Sequence, residues 1–208
     1  DDDNIPLRDF WRSRSGSVEA STIQERGWIN AYTYFCEKKI WPRGYPLEKV
    51  LGEPDSEIEV KKVSSPLQQG LAQLDPDVDA VYRMLHEDPT YFEDREPLFL
   101  ERGQWCPFNS QNTFWDLDVI GLLLYLPVTC TMRETDILRS YICQRVLWEM
   151  GYGVLFHKAT VLQFRNEHKL FRDYEEEANL YLKAERIRNK LDETVLKSGR
   201  DNIEENLF

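Results

Sequence analysis

The sequence is poor in the features that most readily assign a function. It has four cysteines, Cys36, Cys106, Cys130 and Cys143, and no two are spaced as CxxC. That spacing gives no zinc site and leaves buried thiols, or one or two disulfides. No N-x-S/T sequon occurs, no secretory signal opens the chain, and there is no initiator methionine. The longest apolar run, residues 119–128, is near half the length needed to span a bilayer. The chain is therefore expected to be a piece of a longer protein, with any membrane anchor outside it. Basic residues are also scarce: 26 Lys and Arg stand against 37 Asp and Glu, for a net charge of −11. A nucleic-acid backbone needs clustered Lys and Arg, so that class of partner is excluded. A phosphate ligand would need a metal ion to offset the repulsion.

What is present is enough for a folded unit. Of 208 residues, 41% are hydrophobic and 12% aromatic, which suits one domain, or one domain with an appendage. Alternation in WINAYTYF (28–35) predicts a strand, and IWPRGYP (40–46) a turn. Residues 52–65 read as a charged surface loop, and PLQQGLAQL (66–74) as a short helix or irregular loop. DPDVDAVYRML (75–85) predicts a helix with Asp75 as N-cap and Pro76 in its first turn. An edge strand is expected at 98–100, and an ordered loop in CPFNSQNTFW. IGLLLYLPVT (120–129) predicts a buried strand or a helix end. Spacing of Leu138, Ile142, Val146 and Met150, closed by Gly151, predicts the strongest helix. Residues 153–164 read as strand. Leu180, Ala184, Ile187, Leu191 and Val195 mark an amphipathic helix, followed by an acidic tail expected to fray. Strands alternating with helices indicate an α/β fold.

Five elements could carry chemistry. Asp1 and Asp3 of the opening DDDN would point to one side of an extended segment, offering two hard oxygen donors to magnesium or manganese. An acidic terminus in solvent is the plain alternative. Asp77 and Asp79 lie near a helix start, where they would either cap or touch substrate. Asn109, Ser110, Gln111 and Asn112 form a run of hydrogen-bonding side chains between aromatic residues. Such a run could line a sugar or nucleotide pocket, or satisfy itself as a structural loop. Glu134 and Asp136 in RETD stand at a helix entry, as ordinary first-turn acids or as a general base for an acceptor hydroxyl. His157 lies in the apolar run GVLFHKA, where a hydrogen-bonded core histidine is commoner than a metal ligand.

The order of these elements, with WPRG, QQGL–DPDVDA, PFNSQNT and RETDILRSYICQRVLWEMG, resembles the STELLO family of glycosyltransferases over roughly residues 1–165. A looser similarity, through DDD and DVDA, reaches the plant UDP-arabinopyranose mutases. The family resemblance implies a partial A-type glycosyltransferase domain at 1–165, lacking the usual N-terminal nucleotide-binding half. Residues 166–208 would form a helical appendage and acidic tail. It implies that Asp1 and Asp3 bind manganese or magnesium with the diphosphate of a nucleotide sugar, and that His157 adds a metal or phosphate contact. It places Asp136, with Glu134, in the catalytic acidic position. Gly103, Asn109, Ser110, Gln111, Asn112, Asp77, Asp79 and Arg139 would contact donor or acceptor. The implied activity is transfer of a sugar to a hydroxyl acceptor, such as a glycan, in the Golgi lumen. Two rival readings are a non-catalytic Golgi scaffold that binds partner proteins and a metal-dependent phosphohydrolase.

Overall fold

The structure, a computed structural model, describes residues 3–7, 16–52 and 57–207. Its strands are β1 (Asn4–Pro6), β2 (Val18–Ile23), β3 (Gly27–Trp28), β4 (Ile58–Val63), β5 (Leu67–Leu74), β6 (Leu98–Leu100), β7 (Gln104–Trp105), β8 (Thr113–Trp115) and β9 (Val154–Gln163). Its α-helices are α1 (Ala31–Tyr34), α2 (Ala80–Leu85), α3 (Ile120–Leu124), α4 (Met132–Glu149), α5 (Leu170–Glu176), α6 (Ala178–Glu193) and α7 (Ile203–Leu207). The main sheet runs β4-β2-β6-β9-β5-β8, with β1 paired to the far half of β9. It is mixed: β2 and β6 are parallel, as are β5 and β9, and the other pairs are antiparallel. The chain is thus α/β, as its alternation of strand and helix patterns requires.

The parallel β5–β9 pair decides the architecture. Because both strands run the same way, their carboxyl ends lie side by side. Open α/β sheets place ligands in the crevice beyond such ends. β9 carries two bulges against β5, where His157, Ala159 and Val161 face the consecutive residues Gly70, Leu71 and Ala72. One core packs behind this pair, with Trp28, Tyr45, Trp105, Tyr141 and Trp148 in mutual edge contacts. α6 adds Leu180 and Ala184 to that core. Arg145 holds the end of α6, donating to the Leu191 and Thr194 carbonyl oxygens while paired with Glu149.

Several local expectations are corrected. Residues 28–35 do not continue as a strand, because the Asn30 side chain accepts from Tyr32 N and caps α1. Residues 66–74 form the buried strand β5. Gln68 and Gln69 would be costly inside a sheet, but Gln68 accepts or shares a proton with His157 and Gln69 bonds the polar loop. The charged stretch before it contains β4, an edge strand whose Ile58 and Val60 stay exposed. β6 is interior, between β2 and β9. The second helix starts at Asp79, four residues later than expected. The apolar run 120–129 is a short helix followed by coil. Only one side of it meets α4 and α7, so Leu124, Leu126 and Val128 face outward. The acidic tail closes as α7, with Ile203 and Leu207 against the core. All four cysteines are free thiols. No helix among the described residues is long and apolar enough to cross a membrane.

Candidate functional site at the carboxyl ends of β5 and β9

The centre of the site is an arginine that the sequence reading passed over. Arg43 stands in the turn before Gly44, whose φ of 87° suits glycine. A Cβ there would clash with Ile137 Cγ2, so the turn presses directly on α4. From this position Arg43 donates from Nε to Asp77 Oδ1 and from Nη2 to Asp77 Oδ2, both at 2.9 Å. It also reaches both carboxylate oxygens of Asp136, at 3.3 and 3.2 Å, and the Arg133 carbonyl oxygen. One guanidinium therefore joins the loop after β5 to the entry of α4. Burial alone would raise the Asp77 carboxyl, but the Arg43 charge and hydrogen bonds prevail and bring it down to about 2. Asp136 is the more accessible partner, its side chain 22% exposed against 9% for Asp77.

The two neighbouring acids have structural partners. Asp79 caps α2, accepting from Tyr82 N at 2.8 Å and from Trp41 Nε1 at 2.6 Å. Burial pushes its carboxyl up to about 6 despite those bonds. Glu134 is fully buried and closes a capping box with Thr131, while also accepting from the Asn179 backbone and side chain. Both oxygens are engaged, which leaves Glu134 no face for a reacting group. Its expected catalytic role is corrected to tying α4 to α6.

The polar loop lies over β5. Asn109 N donates to Gln69 Oε1 at 3.1 Å, and Gln69 Nε2 donates back to Asn109 Oδ1 at 3.3 Å. Gln111 Nε2 donates to Asn4 Oδ1 at 3.0 Å, which links the loop to the acidic segment. Asn112 Nδ2 donates to the Leu71 carbonyl oxygen and to Thr160 Oγ1. Ser110 Oγ accepts from Arg139, which also donates to the Leu123 carbonyl oxygen and lies 5.9 Å from the Trp115 ring centroid. Gly103 lies in a turn with φ of 88°, and a Cβ there would meet Arg26. Arg43, Gln69, Asp77 and Asn109 share one interstice, too narrow to admit a water-sized sphere. These groups are knit together rather than set around an open pocket.

Gly70 permits this arrangement. A Cβ there would be 2.5 Å from Thr160 Oγ1 and 2.7 Å from Asn112 Nδ2. Gly70→Ala should cost about 1–3 kcal/mol, the range for overpacking a filled interior. Urea denaturation checks this, and unchanged stability would mean that Asn112 does not lie over β5.

Asp3 stands at the same end of the sheet. Its carbonyl oxygen accepts from Phe164 N, its Oδ2 accepts from Gln163 Nε2 at 3.2 Å, and its buried Oδ1 has no hydrogen-bond partner. An orphaned carboxylate oxygen fits one ligand of a divalent cation. Asp1 lies outside the described residues. Among the described residues no group of three or more His, Cys, Asp or Glu could hold a metal ion. His157 is not brought to Asp3. Gly70 and Leu74, the β5 partners of His157 and Gln163, are four residues apart, about 13 Å along the strand. His157 is buried and bonded to Gln68 at 2.7 Å, so the expected joint metal contact is corrected to a core hydrogen bond.

Beyond the strand ends lies a cleft of about 320 Å³ lined by Leu74, Asp75, Arg83, His86, Arg165 and His168, among others. Sequence reading missed it. The available signal was an arginine and a histidine in RNEH, directly after a hydrophobic strand, in a strongly acidic chain.

Comparison with known proteins agrees with the resemblance drawn from the sequence. Residues 133–207 match the family described as STELLO glycosyltransferases, so the match runs through the C-terminal helices. Over 145 residues the chain is 34% identical to "Probable glycosyltransferase STELLO2" and "Probable glycosyltransferase STELLO1" of Arabidopsis thaliana. That stretch is 65% of this chain but 19% and 18% of those proteins, so the chain spans less than a fifth of their length.

Proposed function

From a chain of STELLO-type sequence, we propose that this protein is the part of a metal-dependent glycosyltransferase that carries its catalytic acids. The reaction would move a sugar from a nucleotide diphosphate to a hydroxyl acceptor. One observation carries the reading: the polar loop links the acidic segment and the Arg43 network along the β5–β9 pair. Gln111 binds Asn4 beside Asp3, Asn109 shares an interstice with Asp77 and Arg43, and Arg43 binds Asp136. Metal, sugar-binding amides and base must all reach one anomeric carbon, and this linkage suits that need.

Asp3 would contribute to holding manganese or magnesium, with Asp1 as its partner. When bound, that ion would offset the charge of the leaving diphosphate. Asp136 would take the proton of the acceptor hydroxyl, with Arg43 fixing its orientation. Asn109 and Asn112 would hold the polar loop in place, and its more exposed Ser110 and Gln111 would set the rim of the sugar site. On the family resemblance, this chemistry would take place in the Golgi lumen. The test is calorimetry on the full-length protein with uridine and guanosine diphosphate sugars, in manganese and in chelator. Binding that requires manganese, and falls on Asp3→Ala, supports the reading. Equal binding in chelator refutes the metal role.

A scaffold reading is favoured by a different observation. Arg43 already occupies both Asp77 and Asp136, and an outward row of Leu117, Leu124, Val128 and Met132 could meet a partner protein. Full-length protein that binds no nucleotide sugar in any metal would favour it.

A further inference from the structure

Arg165 lies two residues beyond the end of β9. Among the described residues it forms no ion pair and makes no hydrogen bond, and its Nε is buried and unpaired. The other arginines nearby are all neutralised. Arg43 holds Asp77 and Asp136, Arg133 holds Glu177 and Asp173, and Arg83 reaches Asp75 at 3.5 Å and the Pro76 carbonyl oxygen at 2.7 Å. Arg83 Nε is also buried without a partner. Burial, then repulsion from Arg83, brings the Arg165 guanidinium down to about 10. Leaving a buried charge uncompensated is costly, and structures keep such a group where a ligand completes it. In a chain of net charge −11, this cation is not a by-product of general basicity.

We propose that the cleft beyond β5 and β9 binds a phosphate-class oxyanion, with Arg165 as its principal contact and Arg83 as a further donor. The cleft is open, of about 320 Å³, and lies where parallel strand ends receive ligands. A planar guanidinium with free N–H groups matches phosphate oxygens in a fork. His168 lines the same cleft and donates its Nδ1 proton to Asp173 Oδ2 at 3.0 Å. The rim acids Glu87 and Asp88 are exposed, so solvent and salt screen them. The oxyanion could be the diphosphate of a nucleotide sugar or a free inorganic phosphate. That identification rests on the transferase reading, whereas the site itself does not.

The experiment uses the full-length protein and Arg165→Met, with inorganic pyrophosphate, uridine diphosphate and guanosine diphosphate as probes, each in chelator and in manganese. Without ligand, Arg165→Met should melt higher than the parent, because a half-buried unpaired charge is removed. Pyrophosphate in chelator should raise the parent's melting temperature and leave that of Arg165→Met unmoved. Calorimetry should show a loss of roughly ten- to hundredfold in affinity, the range for hydrogen bonds to charged groups. Arg165→Lys should fall between, keeping the charge without the fork. The proposal is overturned if Arg165→Met binds pyrophosphate as well as the parent does, if neither binds it, or if Arg165→Met melts lower without ligand. Pyrophosphate binding through Arg165 with no nucleotide binding would sink the transferase reading alone. Manganese-dependent nucleotide-sugar binding that ignores Arg165 would sink this site alone.

Discussion

Arg43→Met is expected to destabilise the protein by about 3–5 kcal/mol, the cost of removing one partner from a buried ion pair. Arg43 is the shared cation of Asp77 and Asp136, and its side chain is only 10% exposed. Methionine fills similar volume, so the loss reports charge rather than a cavity. The pH dependence supplies a second check. Asp77 in the parent is held down to about 2, below its ordinary 3.8. That contribution is present above about pH 4 and is lost as pH falls through about 2. In Arg43→Met burial of Asp77 is opposed only by the weaker attraction of Arg165 and Arg133, so its carboxyl rises and the variant recovers as pH falls. The deficit measured by denaturation at pH 7 should therefore shrink toward pH 3. Arg43→Met with Asp77→Asn should regain part of the loss at neutral pH. A deficit below about 1 kcal/mol, the scale of an exposed pair, would mean that the network is solvated.

On the transferase reading, Asp136→Asn is expected to lower sugar-transfer turnover by roughly two to four powers of ten, the usual contribution of a positioned general base. Asparagine retains an oxygen for Arg43, and Asp136 is the more exposed of the two acids. Folding and donor binding should then be nearly unchanged. If Asp136 only orients Arg43 and the entry of α4, the opposite pattern follows: a lower melting temperature with unchanged specific activity. A turnover assay beside a thermal melt separates the two. Asp136→Asn with full turnover ends the assignment of a base at this position.

How much was legible beforehand can be argued from particular segments. The helix α4 and the strand β9 were readable because each is long, α4 carrying apolar residues four apart and β9 a nearly continuous apolar run. The STELLO resemblance was readable because WPRG, DPDVDA and PFNSQNT are specific words, and it survives comparison. β5 was hidden because Gln68, Gln69 and Gly70 look like a loop until their partners are known. Those partners, His157, Asn109, Asn112 and Thr160, lie 40 to 90 residues away in sequence. Gly70 in particular is not a turn glycine, but room for an amide from the opposite loop.

The sequence by itself determined an acidic α/β domain and its family likeness. Local chemistry suffices for these, since periodicity, charge and short motifs are written along the chain. Only tertiary structure decided which residues work together. Arg43 binds Asp77 and Asp136, Glu134 turns inward as a cap, and His157 joins the core far from Asp3. It also left Arg165 without a partner beside an open cleft. The physical reason is that hydrogen bonding and desolvation are settled by neighbours in space. A carboxylate, a histidine or an arginine has the same letter whether it is spent on the fold or left for a ligand.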